Sequence, residues 1–235
     1  MVHGFGGDLN SWRVLVAAAA LSRPVLAIDL PGHGRSSAGA TSFDALVDAV
    51  AAAVVQEGVT VADMVGHSLG AAIAVGVAAS ARFQVRSLFL VAPAGLGPEI
   101  NHEFLVGFCR AETMADLAAS MSLLVADPDH IPPVFVHVTA DTRAQPGVKD
   151  AQEAMVRTLF PEGAQAFSIR ETLGSLTLPI VVVFGDADRI IPSRHVSDLP
   201  ATITRHVLPS IGHMPQIEAR DAVARLLADH LGKRT

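Results

Sequence analysis

The run Val59-Thr60-Val61-Ala62-Asp63-Met64-Val65 is mostly apolar and passes into Gly66-His67-Ser68-Leu69-Gly70, after which small residues continue to Ala81. A strand that runs through G-x-S-x-G into a helix has the setting of a nucleophile elbow, a turn so sharp that its serine takes a strained backbone conformation. Side chains at the flanking positions would collide there, and Gly66 and Gly70 have none. Such a turn lifts the Ser68 hydroxyl above the sheet. It also aims the Leu69 backbone N–H at the space where a reacting carbonyl oxygen becomes negative. Without a strand and a helix around it, the same pentapeptide reads as an ordinary tight turn.

Outward from this run the chain alternates short apolar strands with longer amphipathic segments, the pattern of an α/β protein with a mostly parallel sheet flanked by helices. Upstream, Pro24 to Leu30 reads as a strand entering the turn Pro31-Gly32-His33-Gly34, and Phe43 to Gln56 as a helix capped by Ser42. Downstream, strands are expected at Val85 to Val91, Leu178 to Phe184 and near Ile203 to Leu208. The last leads to Gly212-His213 and a helix from about Gln216 to Leu231. Pro179 can only begin its strand, because it has no N–H to donate. From about Gly97 to Leu176 the segments are helical, broken at Asp127-Pro128, Ile131-Pro132-Pro133 and Gln145-Pro146-Gly147. The expected organisation is a core in two parts, 1–96 and 177–235, with 97–176 inserted as a helical lid.

The chain's 235 residues are 50% hydrophobic and 17% charged, enough for one compact body with buried strands. A net charge of −6 without basic runs gives no reason to expect nucleic acid or a membrane as partner. No apolar stretch reaches the roughly 20 residues of a spanning helix. Cys109, the single cysteine, can form no internal disulfide and reads as a small buried side chain, so the default location is cytoplasmic. Scattered histidines without H-E-x-x-H or paired-cysteine spacing give no metal site.

Serine at its ordinary pKa is a poor nucleophile, so Ser68 needs a base and a group to orient that base. His213 follows the final strand in a loop after Gly212 and precedes the last helix, which makes it the candidate base. His130, His137, His195 and His206 read as surface-loop histidines. For the acid, Gly185-Asp186-Ala187-Asp188 follows the strand at 178–184. Asp188 has the residues needed to turn toward the histidine, and Asp186 reads as a turn carboxylate bonding its own backbone. A second oxyanion donor is expected from the glycine-rich loop His3-Gly4-Phe5-Gly6-Gly7-Asp8, with Phe5 as candidate. Asp29 to Ser36 reads as a structural turn in which Asp29 and Ser36 satisfy backbone groups, rather than as a site built on His33.

With these motifs in this order the chain resembles the α/β-hydrolase superfamily over nearly its whole length. The resemblance implies Ser68 as nucleophile, Asp188 as acid, His213 as base, and Phe5 and Leu69 as oxyanion donors. More narrowly, Val2 to Asn10 and Ala94 to Asn101 are similar to the hydrolase-like domain of the acyltransferase component of acetoin dehydrogenase complexes. That family moves an acetyl group from a lipoyl arm to coenzyme A. Its members usually carry a lipoyl domain, whereas the lysines here are Lys149 and Lys233, neither in a lipoyl attachment setting. Only Met1-Val2 precede His3, so the resemblance also implies that N-terminal strands are missing and that upstream residues belong to the working protein.

The expected function is therefore a serine hydrolase cleaving a carboxylic ester, thioester or related acyl compound through an acyl-serine intermediate, without a cofactor. The first alternative is an acyltransferase with coenzyme A as co-substrate and a dehydrogenase complex as partner. The second is a non-catalytic interaction module that keeps the fold.

Overall fold

The computed structural model describes residues 1–37 and 39–232; Ala38 and residues 233–235, Lys233 among them, lie outside the described residues. Four strands form one parallel sheet in the order β1 (Val61–His67), β2 (Gln84–Val91), β3 (Ile180–Gly185) and β4 (Thr204–Leu208). The sheet continues beyond β1 through single bridges, with Val2 pairing Gly66 on one side and Ile28 on the other. Pro24–Leu30 is thus not the strand its apolar run predicts. Ile28 alone bridges, to Val2, and its N–H donates to the Met1 carbonyl at 3.1 Å.

Alternation along the central strands divides the core into two layers. Leu88 and Leu90 of β2 and Ile180, Val182 and Phe184 of β3 face one layer. Phe89, Val91, Val181 and Val183 face the other. Both faces of a parallel sheet must be covered, which is why these strands are apolar at successive positions. One layer packs under α2 (Phe43–Gln56) and α3 (Leu69–Ser80). The other packs under α1 (Arg13–Ala19), Trp12 just before it, and α10 (Arg220–Gly232). Ser42 caps α2 by accepting the Ala45 N–H, as its position before an apolar-periodic run predicts.

Between β2 and β3 the chain is helical: α4 (His102–Arg110), α5 (Met114–Met121), α6 (Pro133–Arg143), α7 (Val148–Leu159) and α8 (Arg170–Ser175). α4 packs on α5 and α7, and α6 packs on the same two helices. The terminal helix expected from Gln216 to Leu231 is divided into α9 (Pro215–Glu218) and α10 by Ala219, whose φ of −121° and ψ of 39° break the helical path. Among the described residues no helix is long and apolar enough to cross a membrane.

Candidate active site

β1 ends at His67 and α3 starts at Leu69, so Ser68 makes the turn alone, at φ 52° and ψ −119°. A non-glycine residue there is strained and must be held by its surroundings. The Ser68 N–H donates to the Val91 carbonyl at 2.9 Å, and the Ser68 carbonyl accepts the Ala71, Ala72 and Ala94 N–H groups. Close packing fixes the flanking glycines. A methyl group on Gly66 would run into the Gly70–Ala71 backbone, and one on Gly70 into the carbonyl oxygens of Val2 and His3.

Asp188 lies just beyond the end of β3 with its side chain fully buried. Its Oδ1 accepts the Ile190 and Ile191 N–H groups at 2.8 and 2.9 Å, and its Oδ2 faces His213 Nδ1 at 2.7 Å. His213 Nε2 is 2.9 Å from Ser68 Oγ. Opposite a carboxylate, Nδ1 carries the ring proton, which leaves the Nε2 lone pair for the serine hydroxyl. Ser68, His213 and Asp188 thus stand in one hydrogen-bonded line. Asp186 is exposed, and its Oδ1 accepts the Ser210 N–H at 2.6 Å, so it ties β3's exit to the loop after β4 rather than bonding its own turn.

Gly4, Phe5, Gly6 and Gly7 border the same cavity as Ser68, His67 and His213. Among the described residues no protein acceptor takes the Phe5 N–H, nor that of Leu69, the first residue of α3. Apart from the hydroxyls of Ser11 and Thr139 the rest of the lining is apolar, with the rings of Phe5, Phe104, Phe108, Phe135 and Phe160 and no lysine, arginine, aspartate or glutamate. Its interior volume is about 40 Å³, room for a few waters. A more voluminous open cleft of about 840 Å³ lies on the outer side of α6, against Asp29 and Arg35, and includes none of Ser68, Asp188 and His213.

Several groups that hold this geometry escape a reading by motif. His67, the second residue of G-x-S-x-G, donates Nε2–H to the His213 carbonyl at 2.8 Å, clamping the His213 backbone to the serine turn. Burial, with the neighbouring His213 adding to it, pushes His67 down from 6.5 to about 3, so it is neutral. Glu218 accepts the Gly212 and Met214 N–H groups through Oε1 at 3.0 and 3.4 Å and the Ala126 N–H through Oε2 at 2.7 Å. The His213 N–H donates to Leu124 at 2.9 Å. An acid in the first helical turn after Gly212-His213 is the sequence signal that could have singled out Glu218. His33 is buried, and its Nε2 accepts the Gly6 N–H at 3.0 Å. Asp29 accepts the Leu9 and Arg35 N–H groups and Ser36 donates to the Asp29 carbonyl, the backbone duty expected of that turn.

Of the histidines read as surface-loop residues, His130 is exposed, His137 is exposed on α6 and His206 lies in β4. His195 is not the surface-loop residue expected: it is buried and paired with Glu99, its ring packed against Gly97. Cys109 is buried as expected, and burial pushes its thiol up to about 11.

Comparison with known proteins gives a consistent picture. A family profile described as the alpha/beta hydrolase family matches residues 1–226. A dihydrolipoyllysine-residue acetyltransferase component of an acetoin cleaving system from Pseudomonas putida is 36% identical over 99% of this chain, which spans 63% of that relative's length. A pimeloyl-[acyl-carrier protein] methyl ester esterase from Neisseria meningitidis is 28% identical, covering 97% of this chain and 91% of its own. In structure, a meta-cleavage product hydrolase from Pseudomonas fluorescens superposes with a TM-score of 0.87 over 100% of this chain and 90% of its own, at 20% identity, a likeness of fold.

Proposed function

The chain belongs to the alpha/beta hydrolase family, and from that premise we propose that it is a serine hydrolase cleaving a small uncharged acyl ester or thioester through an acyl-Ser68 intermediate. Ser68 Oγ attacks the carbonyl carbon while its proton passes to His213 Nε2, and Asp188 stabilises the imidazolium that forms. The Phe5 and Leu69 N–H groups receive the developing oxyanion. Collapse breaks the bond to the leaving alcohol or thiol, which takes the proton from His213. Water, deprotonated by His213, then attacks the acyl carbon, and the proton returns to Ser68 as the carboxylic acid departs.

The observation that carries this reading is the line of contacts at 2.9 Å from Ser68 to His213 and 2.7 Å from His213 to Asp188. Substrate class follows from the lining. An ionised acyl group would enter an apolar space without a counter-charge, at a cost of several kcal/mol. Residues 97–176 act as a lid that supplies most of the aromatic wall. The reaction needs no resident cofactor.

A second reading replaces water with a thiol, and the 36% identity to an acetoin-system acetyltransferase component favours it. The acceptor thiol would attack acyl-Ser68 and leave as a thioester, with coenzyme A as co-substrate and a dehydrogenase complex as the setting. A fluorophosphonate probe tests what both share: wild type should be labelled, and Ser68→Ala should lose labelling and turnover by about a million-fold. An unlabelled wild type refutes both and favours an interaction module. Acetyl-lipoamide with coenzyme A separates the two, since faster release of acetyl-coenzyme A than of acetate identifies transfer.

A further inference from the structure

The Phe5 N–H and the Gly4 carbonyl belong to one peptide unit, and none of the described bonds is cis. In a trans unit the two groups point in opposite directions, so whatever holds the oxygen aims the N–H. Two donors hold it: His3 Nδ1 at 2.8 Å and the Gly7 N–H at 3.1 Å. The His3 tautomer is imposed from the ring's other side, where Nε2 accepts the Leu30 N–H at 3.0 Å. With Nε2 committed as acceptor, a neutral ring carries its proton on Nδ1 and donates to Gly4. His3 is fully buried and held neutral chiefly by that burial, although Asp29 and Asp8 act in the opposite sense.

On the loop's other flank the Gly6 N–H is taken by His33 Nε2, and Gly6 sits at φ 75°, where glycine is at ease. The Gly6 and Gly7 amides are therefore spent within the protein. The Phe5 amide has no protein acceptor among the described residues, and Phe5 borders the cavity that Gly4 and Ser68 share.

We infer that His3 is a positioning residue that sets the Phe5 peptide plane through its Nδ1–H, and so preforms half of the oxyanion site without touching substrate. The inference rests on the acyl-Ser68 reading. Two substitutions separate the ring's two bonds. His3→Asn places an amide nitrogen near the Nδ1 position and can still donate to Gly4. His3→Gln reaches the Nε2 position, where it can accept the Leu30 N–H but leaves Gly4 without a side-chain donor.

With p-nitrophenyl acetate as probe substrate, His3→Gln should lose about 10- to 100-fold in kcat with KM little changed, part of the loss that follows removal of an oxyanion donor. His3→Asn should recover most of that loss. Fluorophosphonate labelling rates should follow kcat, whereas melting temperatures should not. Equal activity in the two variants, or activity that merely tracks melting temperature, overturns the inference while leaving a labelled wild type and the acyl-Ser68 reading intact. A wild type that neither labels nor turns over removes both. The wild type also reports the tautomer directly, so the question does not depend on either variant folding: nitrogen-15 NMR should find the His3 proton on Nδ1, and a proton on Nε2 overturns the inference.

Discussion

His33 and His67 are each buried against backbone and other imidazoles, and burial lowers both from 6.5 to about 3. In the unfolded chain they would bind protons near pH 6.5. Between that value and about 3 the unfolded state therefore holds protons that the folded state does not. Their contribution to stability must fall as pH falls through this window, by about 1.4 kcal/mol per pH unit for each histidine, and is complete above 6.5. Melting temperature followed from about pH 7.5 down to about 4.5 should drop more steeply once pH passes below 6.5, above the range in which ordinary carboxylates titrate. A flat profile down to pH 5 would show that these rings are not held neutral. The residue type was legible in the sequence, and its duty was not. His33 reads as part of a turn, yet its acceptor nitrogen reaches Gly6, 27 residues away along the chain.

Elements converge on the site from their ends, and the loop carrying His213 shows how tightly. Its backbone is tied to Leu124, to His67 and, through neighbouring residues, to Glu218 at the end of α9. The break at Ala219 separates α9 from α10, and Glu218 turns back onto the Gly212–Met214 segment and Ala126. Glu218→Ala removes the acceptor of three backbone N–H groups. It should lower the unfolding free energy in urea by about 1–3 kcal/mol and reduce kcat more than it raises KM; no change in either would show that the loop stands without it. Gly70→Ala should prove at least as costly, because its methyl group meets backbone oxygens that cannot step aside, and overpacking of this kind costs about 1–3 kcal/mol or more. The strands at Val85–Val91, Leu178–Phe184 and Ile203–Leu208 were legible from apolar runs and punctuation, and lie within a residue or two of β2, β3 and β4. Pro24–Leu30 has the composition of a strand, yet only Ile28 within it is bridged, to Val2.

At the scale of the whole molecule, the turns and loops after β1, β3 and β4 carry Ser68, Asp188 and His213, and the helical insertion supplies most of the wall facing Ser68. Phe104 and Phe108 come from α4, Phe135 from α6, and Phe160 from the end of α7, and they close to about 40 Å³ around Ser68. Phe108 also blocks the position a side chain on Gly6 would take, so its ring is both wall and spacer. Phe160→Ala should open the space and shift preference toward longer acyl chains. The ratio of kcat/KM for hexanoyl over acetyl esters should rise by about tenfold or more, since one methylene in an apolar pocket is worth about 10- to 200-fold in discrimination. An unchanged ratio would place the acyl group elsewhere.

By itself the sequence determined the alternation of strand and helix, the strained serine turn with its two glycines, and the choice of Ser68, Asp188 and His213 as candidates. Those features depend on local sterics and on apolar periodicity, which neighbouring residues encode. Only the tertiary structure decided that Asp188 and His213 meet Ser68 in one line, that His3, His33, His67 and Glu218 hold the loops around them, and that His195 is buried. Each of these is a contact between residues far apart in the chain, and a buried polar group takes whichever partner the packing brings within hydrogen-bond reach.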